Sequence, residues 1–527
     1  MDSMIQKNDN ATILLRHIRH SIRLLLLLLA FAGHTRLAES QHLPAPGTSR
    51  LQPQLQSESR VAVARLARDI DEILSDRNFS DATWGVSVVS CQHGDHLYRY
   101  QDRRNRQMAS NIKLLTTITA LNKLGSDFRF ATEVIATGEV ANGVLQGDLV
   151  IRCSGDPSLS PSFGINPQEV LQSWARALDS LGIRSVRHVL VDASLFDTIP
   201  YAPGWAWDDE TFGFNAPISG AAIYDNSIAV TITPGKTAGK PVQIDLSPST
   251  AYVTLRVTAQ TTRSDSVATL DIHRDRGSGV IVVAGNIAAG AEPYTEHISI
   301  EQPPLFFATL LREELERSGI EVRGGAFDSD NAPIHDPQRT ERRVALYLSP
   351  ELRQIAAATN KQSLNLSAEM ILKTLGRQTA GVGTTSAGVE SVKRQLSKAG
   401  IDVERLRMAD GSGLSRQTSI STADMTTLLR WAYAKPTLFR DVLSTLSVAG
   451  SDGTLAARMV GTAAEGNVFG KTGYMGGVRA ISGYVRTRDG EWLAFSIAVN
   501  NYTVPTAVVN KAHDQILTRL ANFSRKG

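Results

Sequence analysis

Three short stretches of this chain carry side chains that can perform acyl transfer together. The first, Ser110-Asn111-Ile112-Lys113, precedes the run Leu114-Leu115-Thr116-Thr117-Ile118-Thr119-Ala120-Leu121. On a helix, serine and lysine three residues apart share one face within side-chain reach. A lysine buried there beside another cation loses part of its proton affinity and can serve as a neutral base for the serine. The helix N-terminus also favours negative charge developing on that serine. The second stretch is Ser363-Leu364-Asn365, ahead of the helical pattern Leu366 to Leu375. The third is Lys471-Thr472-Gly473, entering a strand.

Histidine, the commoner base, offers no alternative. Of the 11 histidines, four lie in or beside the N-terminal leader, and none of the rest sits in H-E-x-x-H. No serine is framed as G-x-S-x-G. Each lysine–serine motif alone has a plainer reading: a helix cap with a solvated lysine, another helix cap, and a turn before an edge strand. A chain of this length holds about two S-x-x-K matches by chance at average usage, and roughly 0.1 for K-T-G. Their order and the elements that carry them are what make the set informative.

Those elements can be read in outline. A helix is expected over Val61 to Leu74, from apolar positions 63, 66, 70, 73 and 74. Thr83 to Ser90 reads as a strand with Leu97 to Tyr100 as its hairpin partner, and a helix follows from Ser110 to Leu124. The middle third is β-rich, with strands such as Ser227 to Ile232 and Val280 to Gly285 around a helix from Pro304 to Ser318. The chain closes on a hairpin, Gly477 to Val485 and Trp492 to Asn500 across Asp489-Gly490, and a helix from Thr506 to Phe523. The fold class is α+β, a helix-flanked antiparallel sheet with a β-rich insertion.

With these motifs in this order, the sequence resembles the penicillin-interacting serine acyltransferases, whose signature is S-x-x-K, S-x-N and K-T-G. The 253 residues from Ser110 to Ser363 refine the match. So long an insertion is similar to the large-insert D-alanyl-D-alanine carboxypeptidase/endopeptidase family, the penicillin-binding protein 4 type. Gly155-Asp156-Pro157-Ser158-Leu159, the stretch Ala202 to Asp209, Asp410 to Arg416 and Gly450 to Leu455 fit it too. The resemblance covers roughly residues 60 to 525 and implies a β-lactamase/transpeptidase-like domain. It divides the chain into a leader (1–38), a linker (39–58), the acyltransferase domain (59–135 and 340–527), an inserted domain (136–225 and 290–339) and a nested β-rich module (226–289).

The resemblance also implies roles. Ser110 forms an acyl-enzyme with the penultimate D-alanine, Lys113 accepts its proton, and Ser363 relays a proton to the leaving amine. Asn365 holds Lys113 and the substrate backbone. The N–H groups of Ser110 and Tyr474 form an oxyanion hole, and Lys471, Thr472 and Gly473 line the site of the terminal carboxylate. In the insertion, Asp209 and Phe214 match the spacing of residues that read the third stem residue, and Arg416 and Met475 are further candidates; Asp209 is equally readable as a turn residue. The substrates implied are peptidoglycan stem peptides, with β-lactam antibiotics as covalent inhibitors. No cofactor or metal is expected. Tyr474 departs from the Ser or Thr that relatives carry after K-T-G, and Cys153 from a common glycine. No E-x-x-x-N stretch lies between Ser363 and Lys471, which disfavours a β-lactamase or esterase on this scaffold; the intact motifs disfavour a non-catalytic wall-binding homologue. Carboxypeptidase and endopeptidase action break the same bond type and stay undivided here.

Composition sets the remaining bounds. Of 527 residues, 42% are apolar, enough for a large core, and the net charge is +3. Lys7, Arg16, Arg19, Arg23 and Arg36 against Asp2 and Asp9 account for all of it. The rest of the chain is neutral, so nucleic acid is not an expected partner. The basic stretch leads into a nine-residue apolar run, Leu24 to Ala32. It rises only roughly 14 Å and is too short to span a bilayer. A secretory signal cleaved near Ala32 or Ala38 is expected, with a periplasmic enzyme lacking any transmembrane span once mature. Cys91 and Cys153 have no metal-site spacing, and their pairing is open.

Overall fold

The computed structural model describes residues 48–331 and 340–526; the leader, 1–38, lies outside the described residues. Its centre is a six-stranded antiparallel sheet. Helix α1 (Thr48–Leu74) leads into strands β1 (Thr83–Ser90) and β2 (His96–Tyr100). Helix α2 (Lys113–Leu124) follows, and after a long insertion come α3 (Asn365–Ala380) and α4 (Thr422–Tyr433). Strands β3 (Ser447–Val448), β4 (Val468–Met475), β5 (Val478–Arg486) and β6 (Trp492–Asn500) precede the last helix, α5 (Thr506–Asn522). The spatial order is β3-β4-β5-β6-β1-β2.

The central strands are buried on both faces, so their sequences are nearly continuous apolar runs. A period of two still sorts them. In β6, Leu493, Phe495, Ile497 and Val499 face the core shared with Ile70 of α1 and Ile516 of α5. The smaller Ala494 and Ala498 face α2, α3 and α4, through Ile118, Leu372 and Leu428. Small residues on that face let the helices approach the sheet closely. Polar atoms there are paired: Ser482 with Ser496 at 2.9 Å, Ser87 with Thr426 at 2.8 Å, and the Tyr484 hydroxyl donating to the Leu429 carbonyl at 2.7 Å.

The insertion has its own core. Its largest sheet runs Glu341–Leu348, Ala131–Thr137, Leu149–Arg152, Ser185–Asp192, with Glu321–Asp328 also paired to the last of these. Helices Pro167–Ser180 and Pro303–Arg317 cover it through Trp174, Leu178, Phe306 and Leu311. The pairing moves the expected boundaries outward. Glu341–Leu348 and most of Ala131–Thr137, both assigned above to the acyltransferase part, pair antiparallel with each other, and Ala131–Thr137 continues the insertion's sheet through Leu149–Arg152, so its entry and exit strands lie side by side. Tyr294–Ser299 likewise pairs with Ser227–Thr233 and belongs with the nested strands, beyond residue 289. Helix α1 starts at Thr48, so residues 48–58 are helical where composition suggested linker. The helix Pro167–Ser180 went unread in the sequence. Cys91 and Cys153 are free and buried in separate cores.

One buried ion pair ties the insertion to α3. Lys373, with no exposed side-chain surface, places Nζ 2.5 Å from Asp197 and donates to the Ile199 carbonyl at 2.9 Å. Removing the anion leaves a desolvated ammonium behind. Asp197→Ala is expected to lower stability by about 3 kcal/mol, read as a fall in the urea midpoint; an unchanged midpoint would show that the tie contributes nothing.

Candidate active site

Ser110 sits in a 3-10 turn, Ala109–Ile112, that feeds directly into α2. The sequence expects it in the first turn of an α-helix; a 3-10 turn stands there instead, opening on Ala109 at φ 44°, in the left-handed region. The turn is wedged between two glycines. A Cβ on Gly473 would lie 2.3 Å from the Met108 carbonyl oxygen, and one on Gly413 would lie 2.0 Å from that of Ala109. Gly473 is therefore what lets β4 run against the serine's turn.

Lys113 opens α2 with its whole side chain buried. Its Nζ lies 2.9 Å from Ser110 Oγ, 2.6 Å from Asn365 Oδ1 and 2.9 Å from the Ser412 carbonyl oxygen. Burial pulls its pKa from 10.5 to about 7, against the opposing pull of the Glu369 and Asp410 carboxylates. Asn365, the first residue of α3, donates through Nδ2 to the Phe214 carbonyl at 2.8 Å. That bond ties the S-x-N motif to the insertion.

Ser363 also adopts a left-handed backbone, φ 65°, just before α3. Its Oγ accepts a hydrogen bond from Lys471 Nζ at 3.0 Å, while Lys471 also donates to the Thr472 carbonyl at 2.9 Å. Lys471 is fully buried. Desolvation, then the charges of Lys113 and Arg479, drive its pKa well below the ordinary lysine range. Thr472 Oγ1 donates to Thr454 Oγ1 at 2.8 Å. The three motifs thus meet at one cleft: serine turn on one wall, S-x-N loop on the second, K-T-G strand on the third.

The remaining expected residues lie around its rim. Phe214 is exposed and stacks on Phe212 with ring centres 5.6 Å apart. Asp209 is half-buried; burial and Asp208 raise its pKa, and Arg416 opposes them. Arg416 is exposed, with its guanidinium beside Gly476, and Met475 is half-buried. Tyr474, 59% exposed, projects from β4 at the same rim.

Glu369 was not singled out in the sequence, and Asp410 only as the start of a stretch that fits the family. Glu369, fully buried, accepts from the Gly411 N–H with both oxygens at 3.0 and 2.9 Å and from the Ser412 N–H at 2.7 Å. It fixes the loop whose carbonyl meets Lys113. Burial, and then Asp410, push its pKa up to about 7. Asp410 in turn accepts from the Ser415 N–H at 2.7 Å, the Thr418 hydroxyl at 2.7 Å and Trp205 Nε1 at 3.2 Å. The available signal was helical spacing: Asn365, Glu369 and Lys373 recur every four residues on one face of α3, with Glu369 and Lys373 fully buried and Asn365 half-buried. Among the described residues no cluster of His, Cys, Asp and Glu is arranged to hold a metal ion.

Two measurements follow from this geometry. Lys113 is a base only when unprotonated, and below about 7 it is mostly ammonium. The rate of acylation is expected to rise close to tenfold per pH unit below that value and to level off above it; a flat profile from pH 5 to 9 would remove lysine as the base. Glu369→Gln places an amide donor against two backbone donors. Acylation is expected to slow by about 10- to 100-fold, an effect of about 1.4–2.7 kcal/mol, with the urea midpoint separating this from unfolding; a wild-type rate would show that the loop holds itself.

The model of the D-Ala-D-Ala carboxypeptidase 3 (S13) family matches residues 66–523. A D-alanyl-D-alanine carboxypeptidase of Actinomadura sp. (strain R39) is 35% identical over 484 residues, 90% of this chain and 87% of that protein. The D-alanyl-D-alanine carboxypeptidase DacB of Haemophilus influenzae is 28% identical over 404 residues, 75% of this chain and 80% of that one. The solved structure of penicillin binding protein 4 (dacB) from the same organism superposes with a TM-score of 0.75 at 24% identity, covering 86% of this chain and 99% of that one, a likeness of fold. A serine turn, a buried lysine and a K-T-G strand in this arrangement, with the family match along nearly the whole body, make the chain a member of the D-Ala-D-Ala carboxypeptidase 3 (S13) family.

Proposed function

We propose that this protein is a serine D-alanyl-D-alanine carboxypeptidase that works through an acyl-enzyme on Ser110 and is itself acylated by penicillins. The observation that carries this reading is the buried Lys113 amine, 2.9 Å from Ser110 Oγ and held near neutrality. Unprotonated, it takes the hydroxyl proton as Ser110 attacks the carbonyl of the penultimate D-alanine. The N–H groups of Ser110 and Tyr474 would stabilise the oxyanion, a contribution of about 3–4 kcal/mol per donor.

Ser363 is suited to hand a proton to the leaving D-alanine nitrogen, because Lys471 holds its hydroxyl. The terminal carboxylate would bind Lys471 and Thr472. Burial and the neighbouring cations oppose charge on Lys471, and an arriving carboxylate would favour it, so substrate and lysine would stabilise one another. Water then releases the acyl group. Asp209, Phe214, Arg416 and Met475 line the side toward the insertion and are proposed to contact the third residue of the stem. Glu369 is unsuited to drive fast antibiotic hydrolysis, since both its oxygens are occupied by backbone N–H groups.

The basic leader and its apolar run support export, and a peptidoglycan substrate fits the periplasm. Among the described residues no helix is long and apolar enough to cross a membrane. Hydrolysis of peptide cross-links is proposed as a second activity of the same cleft.

Labelling with a fluorescent penicillin tests the core of this reading. Wild type is expected to take label on Ser110, and Ser110→Ala and Lys113→Ala to take none while still folding. Unlabelled wild type, or normal labelling of Lys113→Ala, would sink it. Mass measurement of digested muropeptides then separates loss of one D-alanine from cross-link cleavage.

A further inference from the structure

Tyr474 and Arg479 stand directly opposite each other on β4 and β5, on the same sheet face as Thr472. The Arg479 guanidinium carbon lies 5.5 Å from the centre of the Tyr474 ring. Nε of Arg479 donates to Asn510 Oδ1 on α5 at 2.7 Å, and one terminal nitrogen reaches the Gly473 carbonyl at 3.5 Å. Helix, ring and strand thus fix the fork from three sides. The other terminal nitrogen has no acceptor among the described residues, yet it is not sealed from solvent.

The charges around it are unbalanced. Arg458, the neighbouring guanidinium, is paired with Asp514 at 2.6 Å. Arg479 is half-buried and forms no ion pair among the described residues; the same holds for the fully buried Lys471. Neither desolvated basic group has a carboxylate paired directly with it, though Asp514 acts on Arg479 from farther off, and an anion arriving beside them would favour the charge on both. A guanidinium is also the side chain whose paired donors match a carboxylate. The resemblance expects a Ser or Thr hydroxyl after K-T-G, and here Tyr474 supplies a ring that bears on the arginine instead.

We propose that Arg479 is a second anchor for the terminal carboxylate of the substrate, acting with Lys471 and Thr472, and that Tyr474 steers its guanidinium. The proposal rests on the reading of the Ser110 cleft as a D-Ala-D-Ala site and adds a residue that sets specificity for the free acid.

The test compares N-acetyl-D-Ala-D-Ala with its C-terminal amide, by calorimetry on Ser110→Ala protein, so that no acylation is needed. The acid is expected to bind more tightly by about 10- to 100-fold. Adding Arg479→Ala should remove most of that ratio, and Arg479→Lys should restore part of it. Equal affinity for acid and amide in the Ser110→Ala parent overturns the assignment, as does a ratio that survives Arg479→Ala. Loss of both ligands together in Arg479→Ala marks a structural role and also overturns it. Preference for the acid that depends on Arg479, in a protein whose wild type takes no penicillin label, upholds this anchor while sinking the acyl-enzyme reading.

Discussion

A primary amine with no exposed surface, placed among three oxygens, organises this protein. Lys113 is held by Ser110 Oγ, Asn365 Oδ1 and the Ser412 carbonyl. Water would solvate the ammonium far better than these three groups do, and the deficit is what makes the amine a base near neutral pH. Each acceptor must then come from a rigid element. The serine comes from the turn before α2, the amide from the start of α3, and the carbonyl from a loop fixed by Glu369 and Asp410. The central sheet keeps these elements in place by burying alanines against the helices and larger residues on the far side.

The insertion is attached to the same centre. Asn365 meets Lys113 with one end of its amide and the Phe214 carbonyl with the other. Trp205 donates to Asp410, and Ser415 to the Pro203 carbonyl at 2.7 Å. With the Lys373–Asp197 pair, these bonds hold the segment that carries Asp209 and Phe214 at the rim of the cleft. A substrate reaching Ser110 passes a wall whose position is set by the residues that hold the base.

Much of this was legible in the sequence because it is local. The three motifs, the helix from Lys113 to Leu124, the closing hairpin and the last helix depend on periodicities of 3.6 and 2 and on turn residues that neighbours supply. The sheet that Glu341–Leu348 joins was not legible, because a strand pairs with whichever edge it meets, and that edge, Ala131–Thr137, lies about two hundred residues away. Glu369 escaped notice for a related reason. A glutamate in a helix is normally a solvated residue, and its two backbone donors, the Gly411 and Ser412 N–H groups, come from a loop 42 and 43 residues on.

What the sequence determined by itself was chemical identity and order: a serine three residues before a lysine, a second serine with its asparagine, and a K-T-G strand, on elements of the right type. What only the tertiary structure decided was proton affinity and proximity. The same Lys113 in an exposed helix would stay charged and idle; full burial, and the absence of a directly paired carboxylate, are properties of the packed fold. Proximity has the same origin, since Lys113 and Asn365 are 252 residues apart in the chain and 2.6 Å apart in space. Periodicity carries no information at that separation, and packing alone supplies it.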